Sequence, residues 1–469
     1  MLFNEYINAK DDSLVLKAYN DALAAQKTIN AVVTFVKPEE QLQAVSKGKM
    51  YKVPVFLKDN VNTKGIKTTA SSKILENYVP VYNATIVDKL KAAGAIILGK
   101  SSMDELAMGG TNTTSATGPV YNPYDQSRLA GGSSGGSCAL VAAGIVPFAI
   151  GSDTGDSIRK PAAYCGVVGV KPTYGRISRY GIIPYASSLD HVGFFTRSIQ
   201  DACVGLEVLS GRDDKDMTSS YRPTEAYLSN LNADMTNKKV LVFKNVVDAI
   251  KVPETKKAFD HICDELKKQN AIVTEVSFDE DLMRALLPTY YIIANCEATA
   301  NHSNLDGIRF GSRIEGDDME DTMIKTRTAG FGSLIRKRFV IGSYGLFNEN
   351  QERLLKQAQR VRRLIVEAFA KALEDADVII APASADVAPL LDDKARDQLS
   401  NDYLIAENYM NIANFSGYPS MTVPMALKDG LPLGLNITAK AWDEQTMFNV
   451  GLAIEKITGF KDLCHKEEK

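Results

Sequence analysis

The sequence predicts an α/β protein built on one large, twisted mixed sheet with helices on both faces. Three observations lead there. Short apolar runs alternate with amphipathic stretches, no linker or low-complexity segment divides the chain, and apolar residues are plentiful enough for a large core. Strands alternating with helices form a sheet whose faces the helices cover. With 469 residues, 45% apolar and 24% charged, the chain can bury such a core without disulfide or metal staples. Length alone allows about three domains or one large one. The missing linkers favour a single domain over 1–469, with a helical segment over about residues 1–30 and its motifs concentrated in 53–200.

Residues 13–28 (SLVLKAYNDALAAQKT) have apolar side chains at helical spacing, and AVVTFV at 31–36 reads as a strand. VPVFL at 53–57 is an unbroken apolar run, hence a buried strand, and it delivers Lys58-Asp59-Asn60 at its C-terminal end. IVDKLKAAG (86–94) reads as a helix stopped by Gly94, and AIILG (95–99) as the strand after it. VLVF (240–243), AIVTEV (271–276) and DVIIAPA (377–383) are further strands. Residues 253–270 and the charged stretch 349–374 are helices between them. The polar segments 211–236 and 387–402 read as surface excursions.

Charge and cysteine content narrow the function. Lys plus Arg number 54 against 57 Asp plus Glu, a net charge of −3, so no global attraction to nucleic acid or anionic membrane exists. The six cysteines, at 138, 165, 203, 263, 296 and 464, form no C-x-x-C pair, which argues against zinc and redox motifs. The start, MLFNEYINAKDD, lacks a basic and an apolar region, and the longest apolar run, Cys138 to Ile150, is too short to span a bilayer. A soluble, cytoplasmic protein with no metal site is expected.

The informative stretch is 131–176, GGSSGGSCALVAAGIVPFAIGSDTGDSIRKPAAYCGVVGVKPTYGR. A flexible linker has this Gly/Ser composition, but CALVAAGIV continues directly into a buried helix. A glycine-rich turn at a helix N-terminus fits better, because its N–H groups bind anions or oxyanions. No Lys follows the glycines as a phosphate-binding P-loop requires. Gly131-x-Ser133-x-Gly135 matches the nucleophile-elbow pattern, but NPYDQSRLA before it does not read as a strand. Four histidines, at 191, 261, 302 and 465, offer no convincing triad partner. A second serine turn, GSDTGDS at 151–157, follows the strand-like FAI and places Ser157 24 residues after Ser133. A serine without histidine needs another base, and a Lys kept neutral by burial can serve. Lys58 is the best placed; from position alone it reads equally well as a surface lysine.

VPVFLKDN (53–60), AGGSSGGSCALVAAGIVP (130–147) and the 151–176 segment resemble the amidase-signature family, in the right order and with its spacing between two serines. Within that family, residues 63–109, 176–193, 287–298 and 429–440 resemble the A subunits of glutamyl-tRNA(Gln) amidotransferases. The resemblance implies Ser157 as acyl-forming nucleophile, Ser133 as proton relay and Lys58 as buried neutral base. It implies an oxyanion hole from the backbone N–H groups of Thr154, Gly155, Asp156 and Ser157, and substrate binding by Tyr290, Arg338 and Glu407. An Arg suits an α-carboxylate and an acid an α-ammonium. The implied substrate is glutamine, and the implied partners are two further subunits of B and C type. One partner would supply the ATP- and Mg²⁺-dependent step and most contacts to Glu-tRNA(Gln), leaving this chain without a cofactor. A stand-alone amidase and a catalytically silent scaffold remain as alternatives.

The chain departs from the family's pattern at Asp156 (usually Gly), Lys160 (usually Gln), His191 (usually Gln), Phe194 (usually Pro) and Glu407 (usually Asp), and its N-terminus is shorter. A carboxylate about 6 Å from a developing oxyanion opposes it by roughly 3 kcal/mol at an effective dielectric near 20. Asp tolerates a positive φ better than most residues, so Asp156 is expected to face away from the Ser157 hydroxyl and to lie within reach of Lys160 or another cation.

Overall fold

A computed structural model describes residues 1–393, 400 and 402–465; the remainder of the 387–402 segment and residues 466–469 lie outside it. Eleven strands form one mixed sheet. In sheet order they are Val32–Phe35, Ile96–Ser101, Pro54–Lys58, Phe148–Asp153, His191–Thr196, Val168–Lys171, Ser420–Lys428, Leu431–Ala439, Val378–Pro382, Lys239–Phe243 and Ile272–Val276.

Side-chain alternation explains why both faces are covered. In the Val378–Pro382 strand, Val378 and Ile380 enter one apolar cluster while Ile379 and Ala381 enter another. Such a strand must be apolar at every position. Helices Ser13–Ile29, Thr85–Ala92, Ile199–Leu209, Pro253–Lys268 and Glu444–Thr458 fill the first cluster. Helices Leu286–Asn301, Ser333–Leu346 and Gln357–Glu374 fill the second. In Pro253–Lys268 the buried Phe259, Ile262, Cys263 and Leu266 recur at three- and four-residue steps, and Pro253 opens the helix where no donor is needed. The stretch read as one helix over 349–374 carries a π-helical segment at Glu352–Lys356 ahead of the regular Gln357–Glu374. The 211–236 excursion is anchored by Tyr227 and Met235, both fully buried in the first cluster.

One feature differs from expectation, and a second was not read from the sequence. Asp125–Leu129, read as non-strand, pairs with Tyr121–Asn122 in a separate two-stranded ribbon. Its partly exposed, polar side chains conceal it from an apolar-run reading. A strand does therefore precede Gly131, although it belongs to the ribbon and not to the sheet. Ser420–Lys428 and Leu431–Ala439 form a long hairpin joined through Asp429-Gly430, both at positive φ (52° and 78°), as a tight type I′ turn requires.

Pro54–Lys58 and Phe148–Asp153 are parallel neighbours, with Leu57 opposite Ile150. Their C-terminal ends consequently emerge together, where open α/β sheets place ligand sites. Gly136 shows how tightly the helix beginning at Gly135 approaches this edge. A Cβ there would lie 2.4 Å from the Ser102 carbonyl oxygen and 2.6 Å from that of Ala31. Gly136→Ala is expected to destabilise by about 1–3 kcal/mol, whereas Gly110→Ala, with nothing within 4 Å, stays within about 0.5 kcal/mol. Denaturant midpoints of the two variants check this.

Candidate active site

Lys58 ends a strand in which every residue is buried. Burial of Phe56 and Leu57 stabilises by about 1.5–3 kcal/mol each, which offsets the cost of carrying an amine inside. Lys58 Nζ lies 2.7 Å from Ser133 Oγ, 2.8 Å from Ser134 Oγ and 3.3 Å from the Ser152 carbonyl oxygen. Burial pushes the Lys58 amine down to about 7, against the opposing pull of the Asp104, Asp153 and Asp190 carboxylates. A neutral amine is thus available near neutral pH, and the surface reading of Lys58 does not hold.

Ser133 and Ser134 sit in the glycine turn that opens helix Gly135–Ala142, after a cis Gly132–Ser133 peptide. Gly132 is needed there because a Cβ would come 2.1 Å from Asp104 Oδ2. Ser134 occupies the N-cap position without capping the helix. Its hydroxyl instead accepts from Lys58 and donates to the Ser152 carbonyl at 3.0 Å. The motifs alone did not single out Ser134; the doubled serine at a helix start was the available signal.

The second turn is held by a buried ion pair. Asp153, the last residue of its strand, receives Arg159 Nε at 3.1 Å and Nη2 at 2.9 Å, together with the Ile158 N–H at 3.0 Å and Asn414 Nδ2 at 2.9 Å. Burial alone would raise the Asp153 carboxyl, but the Arg159 guanidinium holds it far below the usual range. Arg159 also donates to the Gly155 carbonyl at 2.8 Å, and Thr154 Oγ1 donates to Asp190 at 2.7 Å. The N–H groups of Thr154, Gly155, Asp156 and Ser157 make no hydrogen bond among the described residues, so all four remain available to an oxyanion. The Ser134 N–H reaches the Ser157 carbonyl at 3.2 Å and ties the two turns together. Ser157 is 3% exposed, and among the described residues no hydrogen bond joins its hydroxyl to Ser133.

A cavity of about 410 Å³ adjoins the turn, with Asp156, Lys160, Tyr290, Tyr291, Arg338 and Glu407 in its wall. Ser157, Ser133 and Lys58 do not line it. Tyr290 packs on the turn itself, since a Cβ at Gly155 would come 3.1 Å from its ring and 2.5 Å from Asn411 Oδ1. Arg338 donates to the Tyr185 hydroxyl at 2.5 Å and lies over the Tyr185 and Tyr291 rings; Tyr185 was not singled out in the sequence. The expected Asp156–Lys160 pair is absent. Lys160 Nζ bonds Glu407 Oε2 at 2.9 Å and the Ala383 carbonyl at 3.0 Å, because Glu407 is the buried carboxylate that needs a counter-charge. Asp156 joins Lys160 only through its backbone carbonyl, at 2.8 Å, and it is not among the residues at positive φ.

These turns, spacings and buried lysine can be set beside known proteins. A family model described as Amidase matches residues 13–448. The chain belongs to the amidase family. This amidase is 41% identical over 412 residues to the A subunit of glutamyl-tRNA(Gln) amidotransferase from a Sulfurihydrogenibium species, covering 88% of the chain and 84% of that protein. The protein of the same name from Lactobacillus delbrueckii subsp. bulgaricus is 40% identical, over 97% of the chain and 98% of that protein. Among solved structures, the A subunit of the Thermotoga maritima glutamyl-tRNA(Gln) amidotransferase superposes with a TM-score of 0.82 at 33% identity, covering 98% and 95% of the two chains. The peptide amidase of Stenotrophomonas maltophilia gives 0.80 at 28% identity, covering 99% and 97%. The amidase is accordingly an amidohydrolase by family. Among the described residues none of its helices is long and apolar enough to cross a membrane, and no group of three or more His, Cys, Asp or Glu side chains is placed to hold a metal ion.

The Asp153–Arg159 pair gives a direct test of how the turn is held. Asp153→Asn leaves a buried guanidinium without its counter-charge and is expected to cost about 3–5 kcal/mol, measured by denaturant unfolding.

Proposed function

We propose that this chain is the glutaminase component of a cytoplasmic glutamyl-tRNA(Gln) amidotransferase. The observation that carries the chemistry is the buried Lys58 amine 2.7 Å from Ser133 Oγ, with its pKa brought down to about 7. In this reading the Ser157 hydroxyl attacks the side-chain amide carbon of glutamine. Its proton passes through Ser133 to Lys58, and the N–H groups of residues 154–157 receive the oxyanion. Such donors contribute a few kcal/mol each where negative charge develops. The C–N bond then breaks, the relay returns the proton to the leaving nitrogen, and ammonia departs. Water hydrolyses the glutamyl–Ser157 ester by the same relay. Tyr290 and Arg338 hold the amino-acid end of the substrate.

The names of the relatives support assembly with other amidotransferase subunits. We assign to those partners the ATP- and Mg²⁺-dependent amidation and most of the contact with Glu-tRNA(Gln), with ammonia passing to them from this chain. A silent scaffold is the second reading, and one observation favours it: the carboxylate of Asp156, within the oxyanion turn, forms no ion pair among the described residues, since Arg159 and Lys160 pair with Asp153 and Glu407.

Brief mixing with glutamine followed by mass spectrometry is expected to show a glutamyl adduct on Ser157; its absence from an assembled complex favours the scaffold. Ser157→Ala is expected to abolish glutamine hydrolysis, Lys58→Ala nearly so, and Ser133→Ala to impair it severely. Near-normal glutaminase activity in Ser157→Ala would end the reading.

Since burial lowers the Lys58 amine from 10.5 to about 7, the neutral base gains population as pH rises through 7. Hydrolysis should increase through that range and then level off. Lys58→Arg, which stays protonated, should be inactive at every pH in a steady-state assay.

A further inference from the structure

We propose that Asp156, and not Glu407, is the carboxylate that receives the ammonium group of the amide substrate, with Arg338 holding its anionic end. The assignment rests on the glutaminase reading and names the group that selects its substrate.

The charges in the cavity wall sort into a closed pair and two open ones. Lys160 and Glu407 face each other at 2.9 Å, both about 95% buried. Glu407 also accepts from the Ala385 N–H at 2.9 Å and from Tyr164 Oη at 3.3 Å. A substrate ammonium at Glu407 would have to compete with a lysine already seated there. Asp156 lines the same cavity, half-buried, with no hydrogen bond or ion pair to its carboxylate among the described residues. Burial pushes its carboxyl up to about 7; Lys160 and Arg159 pull it down, while Asp153 and Glu407 push it further up. A carboxylate in that condition has no cation in contact with it, and a bound ammonium supplies one. Arg338 lies against aromatic rings and the Tyr185 hydroxyl, and although the Asp104 carboxylate acts on it from a distance, no acid forms an ion pair with it among the described residues. One uncompensated negative and one uncompensated positive group therefore share the cavity. A free α-amino acid presents the complementary pair.

The position of Asp156 gives this pairing a consequence for rate. Its backbone lies between Gly155 and Ser157, so an ionised Asp156 side chain near the oxyanion would oppose it until the substrate's own ammonium cancels the charge. Amides lacking that cation are disfavoured twice, in binding and in the transition state.

The test uses the full-length chain carrying Ser157→Ala, which stops turnover, and two probes measured by calorimetry: glutamine and 4-carbamoylbutanoate, which is glutamine without its α-amino group. The parent is expected to prefer glutamine by at least about tenfold. Adding Asp156→Asn should weaken glutamine by about tenfold and leave 4-carbamoylbutanoate within about twofold, and Asp156→Gly should do the same with a residue suited to the turn. Equal loss for both probes, or no loss for glutamine, overturns the assignment while leaving the glutaminase reading intact. A parent that binds no glutamine overturns that reading and the assignment together.

Discussion

Removal of the Lys58 amine from water is the constraint on which the rest of this site depends. A lysine at a strand end would ordinarily extend into solvent. Here the strand is fully buried, Lys58 is inaccessible, and the amine has only serine oxygens and a carbonyl to bond. The energetic penalty of that burial falls on the charged form, and this makes a base out of a cation. Three carboxylates in the surroundings, those of Asp104, Asp153 and Asp190, keep the shift from running further. All three have structural duties as well, Asp190 by accepting from the Thr154 hydroxyl. Asp104 fills the space under Gly132, and Asp153 anchors Arg159.

The second turn is shaped from a distance in sequence. Arg159 bonds the Met410 carbonyl at 2.9 Å and Asn414 Oδ1 at 2.6 Å, and Asn414 in turn bonds the Asp153 backbone carbonyl at 3.0 Å. The chain around 407–414 is thereby clipped to the oxyanion turn. A single salt bridge in a low-dielectric interior would be a weak stabiliser by itself. Its value here is geometric, since the same guanidinium fixes the Gly155 carbonyl, while the adjoining N–H groups make no hydrogen bond among the described residues.

Much of the sheet was legible because strands buried on both faces must be apolar throughout; VPVFL, AIILG and DVIIAPA all read that way. The ribbon at 121–129 was not, because its strand is polar and partly exposed. The Ser420–Ala439 hairpin carries a turn signal in Asp429-Gly430, but Pro424 and Pro432 inside its strands argue locally against pairing. Within the site, both serine turns were legible as motifs, whereas Lys58, best placed at its strand end, was told from a surface lysine only by the family resemblance. The partner of Lys160 did not. Asp156 is four residues away and Glu407 is 247 away, so proximity in sequence pointed to the wrong acid. Both acids line the same cavity, and Lys160 pairs with the more deeply buried of the two, which has more to gain from the ammonium. Sequence patterns report periodicity well, whereas they carry little about which of two acids a fold will seal.

The two apolar clusters divide labour in a way that bears on how such a protein can change. The Lys58 strand and the helix after Ser133 pack in the first cluster, whereas the helices bearing Tyr290 and Arg338 pack in the second. The Lys58 strand and the helices bearing Tyr290 and Arg338 thus pack in different clusters, which the Val378–Pro382 strand joins. Substitutions in the second cluster can reshape what is admitted without disturbing the lysine's dry environment. Drift in the first cluster has no such freedom, because the glycines there are pressed against backbone atoms. New specificities on this scaffold should accordingly arise by rebuilding one side of the sheet, with the other carried forward unchanged.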